Sequence, residues 1–199
     1  MKRRVVAFCL FAAVAAVSAC AQPTPIAFEG QSKPRFLRCT LRADRQNMYS
    51  TNYLSMPAVA GVGRPAEVKM YSTNRVDLDL NKIMYQMYPV SQPFDTNAQN
   101  FVEKFFVDDV RSLGLEKLEA VRKTNIQNGH AEIGMTKEQV YMTLGPPAYV
   151  DFDYDASNLT YSAIMEKNRW VYNDSSIMGL WSVQKAFIFD NQKLVQTVP

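Results

Sequence analysis

Histidine is almost missing from this sequence: His130 is the only one among 199 residues. The shortage removes several chemistries at once. A His/Cys zinc centre has too few ligands. A Ser-His-Asp triad would have to run through His130, and no G-x-S-x-G elbow accompanies it. Because His130 follows Gly129, it reads as a surface-loop residue. Neither a Walker loop nor a dinucleotide fingerprint is present. Surplus charge is scarce as well. The 22 Lys and Arg exceed the 19 Asp and Glu by three, and Lys2, Arg3 and Arg4 supply that whole excess. The chain after them is neutral and lacks the clustered basic surplus that a nucleic-acid partner needs. No catalytic residue, cofactor or metal is expected.

What is present begins at the N-terminus. The basic triplet precedes an apolar run, Val5 to Val17, too short to span a bilayer at ~1.5 Å per helical residue. The run ends in Val17-Ser18-Ala19-Cys20, the pattern of a bacterial lipobox. Residues 1–19 then form a lipoprotein signal peptide, and Cys20 carries the lipid. The other reading is ordinary cleavage at Ala19-Cys20-Ala21, an A-x-A site, which would release a soluble periplasmic protein. Cys9 leaves with the leader and Cys20 takes the lipid, so Cys39 stands alone. A lone thiol in an oxidising compartment is either buried or open to another chain. The alternation of "RFLRCTLR" favours burial. Without lipidation, a Cys20–Cys39 disulfide becomes open to the chain.

Beyond Cys20, "AQPTPIAFEGQSKPR" is proline-rich and aperiodic, so residues 20–35 read as lipidated cysteine and tether, reaching at most roughly 50 Å. Residues 36–93 are β-rich: "FLRCTLR", "AEVKMY", "RVDLDL" and "KIMYQMYPV" are short runs separated by "GVGRP" and "LNK" turns. "MYSTN" occurs twice, at 48–52 and 70–74, and each copy is expected to end a strand, with Asn52 and Asn74 at turns. A helical connection fills 94–114, with a helix from Asn97 to Ser112 capped by Thr96. A second helix covers 115–129, with Leu115, Leu118, Val121 and Ile126 on one face and Gly129 at its end.

"GMTKEQVYMTLGPP" (134–147) is a short helix with full punctuation. Thr136 and Gln139 form a capping box, and Met135 and Val140 occupy the positions of a hydrophobic staple. Gly145 supplies a left-handed exit, and Pro146 forbids continuation. After it, "AYVDFDYD" reads as one half-buried strand with Val150, Phe152 and Tyr154 inward, and "RWVYND" as another. "KAFIFDNQKLVQTV" reads as a hairpin turning at Asp190-Asn191, with Ala186, Ile188, Leu194 and Gln196 near alternation. The fold class is α+β: a small β-rich N-terminal domain, then a two-layer unit of two helices and at least three antiparallel strands over 115–199.

From the glycine-ended helix through Gly134-Met135-Thr136, Gln139-Val140, Leu144-Gly145-x-Pro147, Trp170-x-Tyr172 and Phe187-x-Phe189…Leu194-Val195, the chain resembles the BamE/SmpA–OmlA lipoprotein domain. The resemblance covers roughly 115–199. It implies an ααβββ domain, an outer-membrane anchor, and a role supporting the machinery that inserts β-barrel proteins, with contacts to anionic lipid and partner lipoproteins. β-Lactamase-inhibitor-like proteins use the same layout, so fold alone does not decide function.

Three functional readings follow. The first is a non-enzymatic outer-membrane lipoprotein, held through Cys20, that docks on an envelope assembly complex such as the β-barrel assembly machinery. Ala21 after the lipidated cysteine fits outer-membrane sorting in the lipoproteins this chain resembles. Its expected contacts are Gly134 and Met135, the latter partly buried as a staple, and the cluster Ile177, Met178, Leu180 and Trp181 in "SSIMGLW". Met and Trp are enriched at interface anchors and an exposed patch of them calls for a partner; the simpler reading is that these residues cover the helices from the sheet face. The second is a periplasmic protein-binding or inhibitor module. The third, an enzyme or calcium protein, has only Asp151, Asp153 and Asp155 behind it. That Asp series lacks the glycine at loop position 6 and the glutamate at position 12, and the outward face of a strand explains it more simply.

Overall fold

A computed structural model describes residues 25–26, 33–49, 54–71, 75–88, 98–151, 154–177 and 181–199. The leader, Cys20, Asn52, Asn74, Thr96, Phe152, Asp153, Met178 and Leu180 lie outside the described residues. The described chain is a mixed α+β fold dominated by strands, with helix confined to four segments.

The first sheet is built on alternation. β6 (Pro65–Tyr71) and β7 (Arg75–Leu80) pair antiparallel, with Val68 opposite Leu78 and Met70 opposite Val76, all four buried. β8 (Ile83–Tyr88) returns through a turn at Asn81-Lys82, both at positive φ (59° and 66°), as a tight hairpin demands. β4 (Asn47–Tyr49) lies parallel to β8 on the edge. β2 (Arg35–Leu37) pairs with β6 on one side and with β9 (Phe106–Val107) on the other. β3 (Leu41–Arg42) and β5 (Ala58–Ala60) form a separate two-stranded ribbon. Both MYSTN copies do end strands: Met48-Tyr49 closes β4 and Met70-Tyr71 closes β6, with both methionines fully buried.

The tether is shorter than the sequence suggests. β1 (Pro25–Ile26) pairs with Tyr71 and Met70 of β6, and Arg35 is already a largely buried strand residue. Proline suits the first position of an edge strand, so its presence did not exclude pairing.

The two predicted helices are both cut down. α1 (Ala98–Phe105) stops where Phe106 and Val107 pair with Leu37 and Phe36, because the ladder bonds to β2 outcompete another helical turn. The expected stretch to Ser112 continues instead as β9 and a 3-10 turn, Val110–Leu113, capped by Asp109 and closed by left-handed Gly114. The 115–129 helix reduces to a 3-10 turn, Leu115–Lys117, and α2 (Ala120–Gln127). Leu118 is extended and Val121 is 71% exposed, so only Ile126 of the expected stripe is buried. Gly129, at φ 74°, follows the helix as expected.

α3 (Lys137–Leu144) carries the complete capping box: Thr136 Oγ1 accepts from Gln139 N at 3.2 Å, and Gln139 Oε1 accepts from Thr136 N at 3.0 Å. Gly145 leaves at φ 79°, ψ −163°, an extended glycine-only conformation rather than the left-handed helical one. α4 (Tyr161–Glu166), capped by Thr160, fills a segment where no helix was expected.

The second sheet has the order β11-β10-β12-β13-β14. β12 (Arg169–Ile177), β13 (Trp181–Asp190) and β14 (Lys193–Val198) form an antiparallel meander. Its last turn is Asn191-Gln192, both at positive φ, with Asp190 paired to Lys193, one residue later than the sequence suggests. A bulge leaves Val195 as an extra residue in β14 between the Ile188–Gln196 and Phe189–Leu194 pairs, so Leu194 is buried while Gln196 is exposed; on β13, Phe187 and Phe189 are buried and Ile188 is only half-buried. The single strand expected over 149–155 is a hairpin instead: β10 (Tyr149–Val150) and β11 (Tyr154–Asp155) fold back on each other after Asp151, at φ 53°. Reversal at Asp151 breaks the period-two assignment, and Tyr154 ends 62% exposed.

Both sheets contribute to one hydrophobic cluster, from Leu37 and Met70 to Trp170 and Leu194. Hydrogen bonds tie the segments around β3 and β5 to α3, α2 and β12: Thr40 N to Met142 O (2.8 Å), Thr40 Oγ1 to Ile126 O (3.2 Å) and Leu54 N to Asn173 O (2.9 Å). Trp170 and Tyr141 meet edge to face at 6.0 Å, as do Tyr172 and Phe187 at 5.4 Å.

Candidate functional site

The residues singled out as contacts fall at two ends of one hairpin. Ile177 and Trp181 are the last described paired positions of β12 and β13. A bulge between Asn173 and Ser175 precedes that pair and increases the local twist of β12. Gly134 lies at the far end. Residues 134–136 run along β14, with Gly134 N donating to Leu194 O and Leu194 N to Met135 O, both at 2.8 Å. Leu194 opposes Phe189, eight residues along β13 from Trp181, which is roughly 27 Å. The two regions therefore do not form one surface.

Met135 is fully buried rather than partly so, and the Thr143 hydroxyl lies 3.9 Å from its sulfur. A staple methionine sealed in the core offers nothing to a partner, so the expected contact at this end contracts to Gly134. Beside Gly134 stand exposed Ile133 (57%) and Val195 (48%), an apolar pair the sequence reading passed over. Ile133 adjoins Gly134 in sequence, and Val195 follows Leu194, whose carbonyl accepts from Gly134 N, on edge strand β14.

Lys104, Lys137 and Arg42, whose pKa values are lowered chiefly by desolvation, donate to carbonyl oxygens. Lys104 sits on the inner face of α1, and its ammonium donates to the Ser157 carbonyl; desolvation pulls its pKa from 10.5 down to about 8 against the pull of Asp155. One turn earlier, Asn100 Nδ2 donates to Asn158 O at 3.3 Å. Lys137 donates to Met165 O and Asn168 Oδ1, both at 2.9 Å, closing the end of α4. Arg42 spans three carbonyls, those of Leu54, Met56 and Gly129, at 3.2, 2.8 and 3.1 Å. Arg38 stacks over the Tyr161 ring at 4.0 Å and donates to Glu103 O. None of these cations was singled out from sequence, because a lysine or arginine in an amphipathic stretch reads as solvated unless its buried neighbours are known.

Cys39 is fully buried, as its strand alternation implied, and burial pushes its thiol up to about 12, far from a reactive thiolate. Tyr141 and Tyr172 are buried phenols held well above their ordinary range by desolvation. Their hydroxyls donate to Lys104 O (3.1 Å) and Gly145 O (2.8 Å), respectively. His130 is exposed beyond α2. Asp151 pairs with Lys167 at 3.0 Å, and Asp155 accepts from Ser157 N at 2.8 Å, so each has a local structural job.

Comparison with protein-family models, with curated proteins and with solved structures finds no match to this chain.

Proposed function

We propose that this chain is an outer-membrane-anchored, non-enzymatic lipoprotein that serves as a scaffold or accessory subunit in envelope assembly, with the β-barrel assembly machinery as the expected partner. In this reading residues 1–19 are the signal peptide, the lipid on Cys20 holds the protein on the periplasmic face, and several buried acyl-chain methylenes at about 0.8 kcal/mol each give stable attachment. α2 and α3 packed with β12, β13 and β14 make up the BamE-like ααβββ unit, preceded by the small β-rich domain. The observation that carries the reading is the lipobox Val17-Ser18-Ala19-Cys20 behind a basic, short apolar leader. The interior supports a scaffold: Arg42, Lys104 and Lys137 spend their donors on carbonyls that lock one segment to another. The cluster from Ile177 to Trp181 is the docking surface for the partner complex.

The test is crosslinked affinity purification of tagged full-length protein from membranes, beside a Cys20→Ala control. Barrel-assembly components recovered with the lipidated form alone support the proposal. Recovery of a periplasmic enzyme, equally from both forms, would replace it with the inhibitor reading.

A further inference from the structure

A cavity of about 600 Å³, large enough for a small ligand, opens against β6 and the β7–β8 turn. Glu67 and Lys69 of β6 are exposed on the solvent side, because the alternation sends Ala66, Val68 and Met70 into the core. Asp79 of β7 opposes Glu67, and Met84 of β8 opposes Asp79, so Glu67, Asp79 and Met84 form one row across three strands. Lys82 stands in the turn beside that row, and its backbone N–H donates to Asp79 Oδ1 at 2.7 Å. Lys33 and Pro65 complete the wall.

The charges around this cavity have no ionic partners. Carboxylates directly opposed across a strand pair repel each other. Yet among the described residues no ion pair joins Glu67, Asp79, Lys33, Lys69 or Lys82 to any other group. Lys69 opposes Asp77, but Arg75 engages both oxygens of that carboxylate at 2.7 Å each. The cavity therefore presents open ammoniums and open carboxylates side by side. A plain anion meets repulsion from Glu67 and Asp79, and a plain cation meets it from the lysines. A ligand that carries both charges satisfies both sets. Met84, in the same row, is 40% exposed and Ile83 beside it is 50% exposed, so apolar surface adjoins the charges.

We propose that this cavity binds the phosphoethanolamine headgroup of a membrane lipid. The phosphate lies between Lys69 and Lys82, the ammonium against Glu67 and Asp79, and the glycerol with its first acyl methylenes over Met84. Both ends then form charge-assisted hydrogen bonds. Two strand steps set the origins of the Glu67 and Lys69 side chains about 7 Å apart, a gap that their flexible ends and the headgroup's ethylene bridge close. The lipid as source rests on anchoring through Cys20, which keeps the chain at a bilayer; the charge pattern stands without it. Choline fits poorly, since its quaternary nitrogen has no N–H to donate to a carboxylate. A glycerol headgroup brings no cation at all.

The full chain with Cys20→Ala carries no lipid of its own and suits the test. It is titrated calorimetrically with glycerophosphoethanolamine, glycerophosphocholine and glycerophosphoglycerol, then floated with vesicles of phosphatidylcholine alone or with an equal part of phosphatidylethanolamine. Glycerophosphoethanolamine should bind about tenfold more tightly than the other two, and Lys69→Gln and Glu67→Gln should each remove about tenfold of that affinity. Glu67→Gln should also narrow the gap to glycerophosphoglycerol. Only vesicles with phosphatidylethanolamine should lift the chain, and Met84→Ser should reduce flotation while leaving the affinity for the soluble headgroup unchanged. All three substituted positions are exposed, so the fold tolerates the changes. Equal affinity for the three headgroups, tighter binding of glycerophosphoglycerol, or no binding overturns the site. Headgroup binding without flotation overturns the lipid as its source. Neither result touches the recovery of a partner complex with the lipidated form, so this inference and the proposed function fall separately.

Discussion

Replacing Lys104 with methionine should flatten the pH dependence of folding stability on the alkaline side. Lys104 is almost fully buried, and its pKa falls from 10.5 to about 8 because desolvation outweighs the attraction of Asp155. Across that interval the unfolded chain holds more protons than the folded one, so stability rises with pH. At pH 7 the buried ammonium costs on the order of 3 kcal/mol relative to the unfolded lysine, and raising the pH to 9 recovers on the order of 1.3 kcal/mol. Cys39 acts in the opposite direction. Its thiol stays protonated in the fold up to about 12, so the unfolded chain loses its proton first, at a cost of about 0.4 kcal/mol by pH 9. That contribution is common to both proteins and cancels in their difference. Urea unfolding at pH 7 and pH 9 gives four free energies. The parent should gain about 1.3 kcal/mol more than Lys104→Met between the two pH values. Equal gains would refute the assignment of a depressed ammonium to this position, whatever the absolute stability of the variant. Methionine suits the test because it keeps the unbranched length and helix propensity of lysine on α1.

Three further outcomes follow from local geometry. Gly129→Ala should destabilise the fold by about 1–3 kcal/mol in a urea titration, because Gly129 holds φ 74° and an added Cβ would stand 2.1 Å from Arg42 Nη2. Thr136→Ala removes one arm of the capping box and should cost about 1 kcal/mol by the same assay, with little change in helical circular dichroism because α3 is held by its buried face. Cys39 should resist a thiol-reactive dye at pH 8 and react at once in denaturant; rapid labelling of folded protein would contradict its burial.

Much of the fold was legible wherever one residue period ran unbroken against one partner. β6, β7 and β8 follow their alternation and their turns, and the capped start of α3 is present in full. The reading failed where a distant segment competed. Phe106 fits the helical spacing of Phe101 and Phe105, yet its backbone pairs with Leu37, a choice that depends on chain 69 residues away. Leu118 and Val121 failed because a stripe of four apolar residues also fits two short turns joined by extended backbone. Tyr154 failed because Asp151 takes a positive φ that nothing in "VDFDY" announces. Of the candidate contacts, Ile177 and Trp181 are paired across β12 and β13, whereas the depth of Met135 depended on how tightly β14 draws residues 134–136 inward.

The pairing of residues 37–42 sets a timetable for folding. Leu37 needs Phe106, and Thr40 needs both Ile126 and Met142, so one of the earliest described strands is completed by chain roughly 70 to 100 positions later. Such long-range closures carry a large entropic barrier and slow folding. Until those later segments arrive, Leu37, Cys39 and Leu41 expose their apolar faces. The β6-β7-β8 meander can pair from its own neighbours, while the segment at 37–42 waits for chain made much later before its apolar faces are covered.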